Sequence, residues 1–480
     1  MPENNPNRIT IILSTTEQKK PSLSLTFSPT PSKPELNLPG KSLGDILLIQ
    51  REDNIQEAVI SLGIKEEIID DSYRKAGGLT SRWLLKSNAK SATIDLDQMN
   101  VAENSSALQA LFEGLYLGAY SFDEHKTDSE PETIATIYLI CSNENKKINK
   151  LLSKSQAATR AVFLARDLAH QPANFINPQT LAEKAQAVAD ENTLKCTVLD
   201  DKALRKISAG GILSVGQGSK TPSRMIILEY PGQGASIGKD PVVLVGKAIT
   251  FDTGGYSLKD KNGILGMKYD KCGGVTVLAM LQAAAQLKLK TPLVGIICAA
   301  ENMISNEAYR PDDIITTLSG KTVEIVSTDA EGRMVLIDGL TYAQEHYKPR
   351  ALIDMATLTG GIVVALGRVR GGLMSNNDNL ARKLLAAGET THERFWRMPL
   401  DNEYFQLIKG DDADMKNSGA REAHPIIGGI FLKQAVDDEV PWAHLDIAGM
   451  ATTDKDTPYS PKGATGFGIR LLIEYLEDED

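Results

Sequence analysis

From about residue 160 onward, wholly apolar runs alternate with glycine-led stretches of helical spacing, a texture that few folds accept. Val242 to Gly246 is a continuous apolar run ending in glycine, as in a strand buried on both faces. Val275 to Lys288 carries apolar residues at helical spacing, and Leu293 to Ala300 is strand-like again. Met334 to Tyr347 reads as a helix, Ala351 to Met355 as a strand, and Trp442 to Ile447 as a late strand. This alternation predicts a layered α/β domain around a largely parallel or mixed sheet. In such sheets ligands bind beyond the carboxyl ends of the strands, so polar residues just after these runs are the first candidates for function.

At 480 residues the chain exceeds one ordinary hydrophobic core, and two domains are expected. Residues 1–150 read as a smaller N-terminal α/β domain in which no chemistry concentrates. There, Arg8 to Leu13, Ile46 to Gln50, Ala92 to Leu96 and Thr133 to Ile140 have strand character. Ile55 to Ile69 and Ser106 to Tyr116 have helical character, and Ser22 to Pro39, rich in proline and serine, reads as a loop. Residues 146–166 have helical spacing without proline or glycine and are expected to form a helix connecting to a second domain at 151–480.

Composition narrows the function classes. Apolar residues make up 42% and charged residues 24%, as in a soluble globular protein. A net charge of −10 argues, weakly, against nucleic acid and against an anionic membrane surface as partners. Met1 to Arg8 is polar and the apolar stretch after it is short, so no secretory leader is expected; no run reaches membrane-spanning length. Cys141, Cys196, Cys272 and Cys298 are widely spaced, which favours reduced, mostly buried thiols and a cytoplasmic location.

Chemistry gathers in two stretches that follow expected strands. The first is Val245-Gly246-Lys247-Ala248-Ile249-Thr250-Phe251-Asp252-Thr253-Gly254-Gly255-Tyr256-Ser257-Leu258-Lys259, with Met267-Lys268-Tyr269-Asp270 shortly after it. The second is Ser327-Thr328-Asp329-Ala330-Glu331-Gly332-Arg333. If Asp252, Asp270, Asp329 and Glu331 converge, four carboxylates cannot all stay ionised in a partly buried site without compensation. Two divalent cations would supply it, and an oxygen-rich site suits magnesium, manganese or zinc. Lys259 and Arg333 would then remain to meet negative charge formed during a reaction. For any single Asp here, helix capping is the better reading by about three to one on loop statistics. Spacing alone leaves a metal site as one of two open readings.

Other mechanisms fit less well. Ser319-Gly320-Lys321-Thr322 looks like the end of a phosphate-binding loop, but Ile315 stands where its earlier glycine is required. The glycines Gly232, Gly234 and Gly238 precede a strand instead of opening a helix, the wrong context for a dinucleotide fingerprint. His392-Glu393 lacks the second histidine of a mononuclear zinc protease, and His444 reads as a hydrogen-bonded core residue.

Both stretches resemble blocks of the leucyl (cytosol) aminopeptidase family. Ser327 to Met334 is similar to its signature Asn-Thr-Asp-Ala-Glu-Gly-Arg-Leu, and Val245 to Lys259 to its Val-Gly-Lys-Gly-x-Thr-Phe-Asp-Ser-Gly-Gly-x-Ser-x-Lys block. Ala165 to Leu168, Tyr309 to Pro311, Ala356 to Gly360, Trp396 to Leu400, Trp442 to Gly449 and Lys462 to Gly466 resemble further blocks in the same order. The resemblance covers roughly residues 155–475 and does not extend into the N-terminal part. It implies that residues 151–480 form an α/β/α catalytic domain with a central mixed sheet. The implied enzyme is a di-metal aminopeptidase that releases N-terminal, leucine-like residues by attack of a metal-bridging water on the peptide carbonyl.

Carried over residue by residue, the resemblance implies that Lys247, Asp252, Asp270 and Glu331 hold one ion, manganese or zinc. Asp252, Asp329 and Glu331 would hold the second. A lysine ligand must be neutral, and a neighbouring dication together with burial pushes its pKa down. Lys259 would polarise the scissile carbonyl, and Arg333 would hold a bicarbonate ion acting as general base. Met267, Thr357, Gly360, Ala448 and Ala451 would line the side-chain pocket, and the assembly would be a homohexamer of two trimers. Ser327, Ala248, Thr253 and Tyr256 depart from the usual residues, which bears on substrate preference and removes no implied ligand. Some members of the family also bind DNA, and salt-dependent DNA retention would reveal that second role.

Overall fold

The computed structural model describes residues 9–14, 23–30, 42–50, 56–87, 89, 91–97, 104–128, 135–141, 146–232 and 240–479. Contacts divide the chain into two compact units: residues up to Phe163 with Thr453–Gly463, and Leu164–Thr452 with the C-terminal residues from Ala464.

The first unit holds a six-stranded sheet of β1 (Ile9–Ser14), β2 (Leu23–Thr30), β3 (Ile46–Gln50), β4 (Gln56–Ile64), β5 (Ser91–Asp95) and β6 (Ala135–Ile140). Its order is β1-β6-β5-β2-β4-β3, parallel throughout except where β3 pairs with β4. Helices α1 (Asp70–Lys86) and α2 (Ser105–Leu117) pack closely together. A Cβ at Gly114 would collide with the Arg74 carbonyl, so glycine is what permits this backbone approach.

Two expectations need correction here. Of Ile55 to Ile69, read as helical, the described part from Gln56 forms β4 and a 3₁₀ turn, and the helix begins only at Asp70. Ala58, Ile60 and Leu62 are buried while Val59, Ser61 and Gly63 are less so, and that two-residue period decides for a strand paired on both sides. The Pro- and Ser-rich stretch read as a loop contains β2, whose Leu23 and Leu25 enter the core. Its remainder, together with Arg8, Ile55, Thr133, Ile134 and the glycines Gly234 and Gly238, lies outside the described residues. Helix α3 (Lys146–His170) covers the stretch whose helical spacing lacks proline and glycine.

The second unit is built on an eight-stranded mixed sheet. Its strands are β7 (Lys195–Leu199), β8 (Arg224–Tyr230), β9 (Val242–Asp252), β10 (Leu293–Asn302), β13 (Ala351–Ala356), β14 (Gly371–Ser375), β15 (Phe395–Arg397) and β17 (Trp442–Asp446), in the order β15-β14-β17-β13-β9-β10-β8-β7. The central strands β10, β9, β13 and β17 run parallel, and antiparallel pairs flank them. A small separate sheet contains β11 (Ile314–Thr316), β12 (Thr322–Glu324) and β16 (Met415–Lys416). The helices include α4 (Pro178–Glu191), α5 (Asp201–Lys206), α6 (Gly210–Gly216), α7 (Cys272–Leu287) and α8 (Glu331–Tyr347).

Alternate residues of a strand point to opposite faces. Gly246 of β9 lies against Gly273 and Gly274 of α7, while its neighbour Val245 lies against Gly339 of α8. The two helices therefore cover opposite faces of the sheet, giving the expected α/β/α sandwich. Strands β9, β10 and β13 consequently end at the same edge, where Asp252, Asn302 and Thr357 emerge. Among the described residues no helix is long and apolar enough to cross a membrane.

Candidate metal centre

Asp252 ends β9, Asp270 follows the 3₁₀ turn Met267–Tyr269 just before α7, and Glu331 opens α8 with Asp329 in the preceding loop. One oxygen from each of Asp252, Asp329 and Glu331 lies within 4.8 Å of the others. Lys247, inside β9, reaches into the same space. Its Nζ stands 2.8 Å from Asp270 Oδ1 and 2.8 Å from Glu331 Oε1, and donates to the Thr357 carbonyl at 2.9 Å. A Cβ at Gly332 would overlap the end of the Lys247 side chain, so the glycine after Glu331 makes room for the amine. Lys259 Nζ stands 2.8 Å from Asp252 Oδ2 and also bonds Asp329 Oδ1.

Four carboxylates thus face two lysines. Lys247, Asp252, Asp270 and Glu331 are almost wholly buried, whereas the Asp329 side chain is 39% exposed. Burial, reinforced by Asp252, raises the carboxyl pKa of Glu331. Burial raises that of Asp270 as well, although Lys247 opposes it, and that of Asp329, against Lys259. For Lys247 and Lys259 burial acts downward, but the surrounding carboxylates outweigh it and both ammonium groups are held above their ordinary range. Asp270 Oδ2 and Glu331 Oε2 are buried without a hydrogen-bond partner. Buried polar atoms are nearly always paired, so two bare carboxylate oxygens in one cluster mark a place built for cations. A hard, oxygen-dominated donor set with one amine fits manganese, magnesium or zinc. The sign at Lys247 reverses with a dication beside it, because positive charge then favours the neutral amine.

Arg333 stands apart from the carboxylates. It is buried, its Nη1 donates to the Asn417 carbonyl at 2.8 Å, and its Nε has no partner. Burial lowers its pKa to about 10, against the pull of Glu331 and Asp446. An unsatisfied guanidinium of this kind can receive an anion.

The expected pocket residues fall in several places. Thr357 Oγ1 donates to Asp270 Oδ1 at 2.7 Å, and Met267 opens the turn that carries Asp270. Gly360 begins a short helix, with nothing within 4 Å of where a Cβ would stand. Ala448 is half-buried, with its N–H on Asp446 Oδ1 at 3.1 Å. Ala451 is buried, in a narrow crevice with Cys272, Thr276 and Phe467.

Residues not singled out in the sequence complete the frame. Asp446 accepts from Leu358 N, Thr359 Oγ1 and Ala448 N, which ties together the segments after β13 and β17. Asn417 accepts from Val326 N and Ser327 N and donates to the Ser327 carbonyl, shaping the loop before Asp329. Asn302 holds Asp252. Its position two residues beyond the apolar run that ends at Ala300 was the only available signal, and Asn417 had none. His444 is a hydrogen-bonded core residue, its Nδ1 2.5 Å from Asp354 Oδ1. Of the four free cysteines, three are buried and Cys196 is half-buried.

A sequence profile for the catalytic domain of the cytosol aminopeptidase family matches residues 163–473. The N-terminal domain profile of the same family matches residues 39–129, so the likeness extends into the part that resembled nothing in the sequence reading. A probable cytosol aminopeptidase of Geotalea uraniireducens is 45% identical over 425 residues, covering 87% of this chain and 84% of that protein. One from Rickettsia bellii is 39% identical over 424 residues, with the same shares of each chain. The bottromycin maturation enzyme BotP, solved in complex with Mn, superposes with a TM-score of 0.87 at 31% identity, covering 95% of this chain and 99% of that one.

Proposed function

The chain belongs to the cytosol aminopeptidase family and is a metal-dependent aminopeptidase, and on that premise we propose that Lys247, Asp252, Asp270, Asp329 and Glu331 bind two divalent cations. The observation carrying this reading is the pair of buried, unpartnered carboxylate oxygens on Asp270 and Glu331, in a cluster where four carboxylates meet two lysines. Manganese is favoured by the Mn-bound neighbour, and zinc suits the same donors.

When bound, such cations acidify water and polarise a peptide carbonyl. Lys259, at the mouth of the cluster with its side chain 17% exposed, is placed to meet negative charge developing on the carbonyl oxygen. Arg333, with an unused buried N–H, would hold a bicarbonate ion, which would supply general-base chemistry beside the cluster. Asp270, besides its place as a ligand, would aid capture of the substrate's free α-amine, which restricts cleavage to the first residue. Met267, Thr357, Gly360, Ala448 and Ala451 would receive a leucine-like side chain. We assign catalysis to residues 151–480, a homohexameric assembly and a cytoplasmic location.

The test is hydrolysis of a panel of aminoacyl amides by metal-stripped protein, with manganese, zinc, cobalt or magnesium restored singly. Activity should return with a transition metal and be greatest on leucyl amide. Lys259→Ala should bind the metals normally and lose about 10²–10³ in kcat. Full turnover without metal would remove the reading, and so would a Lys259→Ala enzyme of unchanged kcat.

A further inference from the structure

Asn302 is the last residue of β10 and is fully buried. Beside it the pairing of β10 with β9 slips: Ala300 lies opposite Ile249, but Asn302 lies opposite Asp252, so β9 carries one extra residue. Bulges of this kind re-aim side chains, and here the slip brings the carboxamide to the Asp252 carboxylate. Both amide hydrogens are used. Nδ2 donates to Asp252 Oδ1 at 2.8 Å and to the Thr328 carbonyl at 3.0 Å. The network also fixes which way the amide points, because the reverse orientation would set its oxygen against a carboxylate and a carbonyl.

The two acceptors belong to different ligand-bearing segments. Asp252 ends β9, and Thr328 immediately precedes Asp329 in the loop that leads to Glu331. Other contacts of the two segments converge on the same place. Thr253 donates to the Asn302 carbonyl through its N–H and its hydroxyl, at 3.0 and 2.8 Å. Thr328 Oγ1 donates to the Gly254 carbonyl at 2.7 Å and accepts from Ser257 N at 2.8 Å. The Tyr309 hydroxyl shares the Thr328 carbonyl at 2.8 Å. Lys259 also pairs with both segments, at Asp252 and Asp329, but as a cation and from a partly exposed position; Asn302 joins them as a neutral, fully buried side chain.

We infer that Asn302 is a positioning residue: its carboxamide orients the Asp252 carboxylate and pins it to the Thr328 carbonyl, so that Asp252, Asp329 and Glu331 keep the spacing a pair of cations requires. This rests on the ligand assignment proposed above. Groups that orient metal ligands without touching the metal typically change affinity or activity by about 10–100-fold when removed. Asn302→Leu keeps the side-chain size and loses both donors.

The experiment titrates Mn²⁺ into metal-free wild type and Asn302→Leu by calorimetry. It also records the Mn²⁺ spin-resonance spectrum, the melting temperature of each metal-free protein, and kcat and KM on leucyl amide. The expected result is Mn²⁺ binding weakened about 10–100-fold and a lower kcat with little change in KM, in a variant whose metal-free form still melts cooperatively. A variant that melts lower but binds Mn²⁺ as tightly as wild type, with unchanged kcat, would reduce Asn302 to a structural residue and overturn the inference. Should Asn302→Leu fail to fold, Asn302→Ser admits a water in place of the amide, and the same results decide. Wild type that binds no Mn²⁺ would instead overturn the ligand assignment itself, so the two failures are distinguishable.

Discussion

Each unit of the molecule buries a cluster of opposite charges, and the two are built differently. In the first, Arg74 bonds Asp71 at 2.8 Å and Glu113 at 2.9 Å, Lys75 pairs with Asp71 at 3.0 Å, and Gln109 donates to Glu113 at 2.9 Å. Among the described residues these pairs set two cations against two carboxylates. In the second, Lys247 and Lys259 meet Asp252, Asp270, Asp329 and Glu331, and two buried oxygens have no partner. A balanced, bonded network holds helices in place; an unbalanced one is stable only with further positive charge. Charge balance, and not burial or the number of ion pairs, separates the structural cluster from the functional one.

Mutation should split the two most sharply. Asp329→Ala removes a carboxylate from the overcharged cluster, so turnover of leucyl amide is expected to fall by on the order of 100-fold or more, while the metal-free protein melts no lower than wild type. Full turnover would mean that Asp329 is no ligand. Among the described residues, Arg74→Leu leaves buried Glu113 without a cation and Asp71 with only Lys75, and denaturant unfolding should show a loss of about 3–5 kcal/mol. Its activity per folded molecule should stay at the wild-type level, and a selective loss of kcat would erase the distinction.

The pH response sharpens the contrast further. Glu331 and Asp270 have raised carboxyl pKa values in the folded, metal-free protein because burial favours their neutral forms. An acid raised on folding stabilises the folded state below its unfolded pKa, and that stability is lost as pH rises through the folded value. The metal-free protein should therefore lose stability as pH climbs from the ordinary carboxylate range toward neutrality and just beyond. Saturating Mn²⁺ should flatten or reverse this slope, since it binds the ionised forms. A metal-free stability that rose steadily over the same interval would contradict the assignment of excess negative charge. The smallest effect belongs to Lys75→Met. Lys75 is 37% exposed along its side chain, so its removal should cost no more than about 1 kcal/mol by denaturant unfolding.

The sandwich was legible because its strands are buried on both faces and read as unbroken apolar runs, as at Val242 to Gly246 and Leu293 to Ala300. The N-terminal sheet was less so. The β4 segment offers apolar residues at both strand and helix spacing, and only pairing with β2 and β3 chooses between them. The acidic site residues could be listed because each follows a strand or opens a helix. Their convergence could not be read from spacing, since capping explains any one of them. The residues that hold them, Asn302, Asn417 and Asp446, act mainly through hydrogen bonds to segments 26 to 91 positions away, which leave little local pattern.

The most direct test is anomalous diffraction from crystals grown with Mn²⁺. Two manganese peaks should lie among Asp252, Asp270, Asp329 and Glu331, one of them on the Lys247 amine, with both lysine–carboxylate pairings at that amine broken. Carboxylates still paired to Lys247 and Lys259 in saturating Mn²⁺, with no peak between them, would contradict the account.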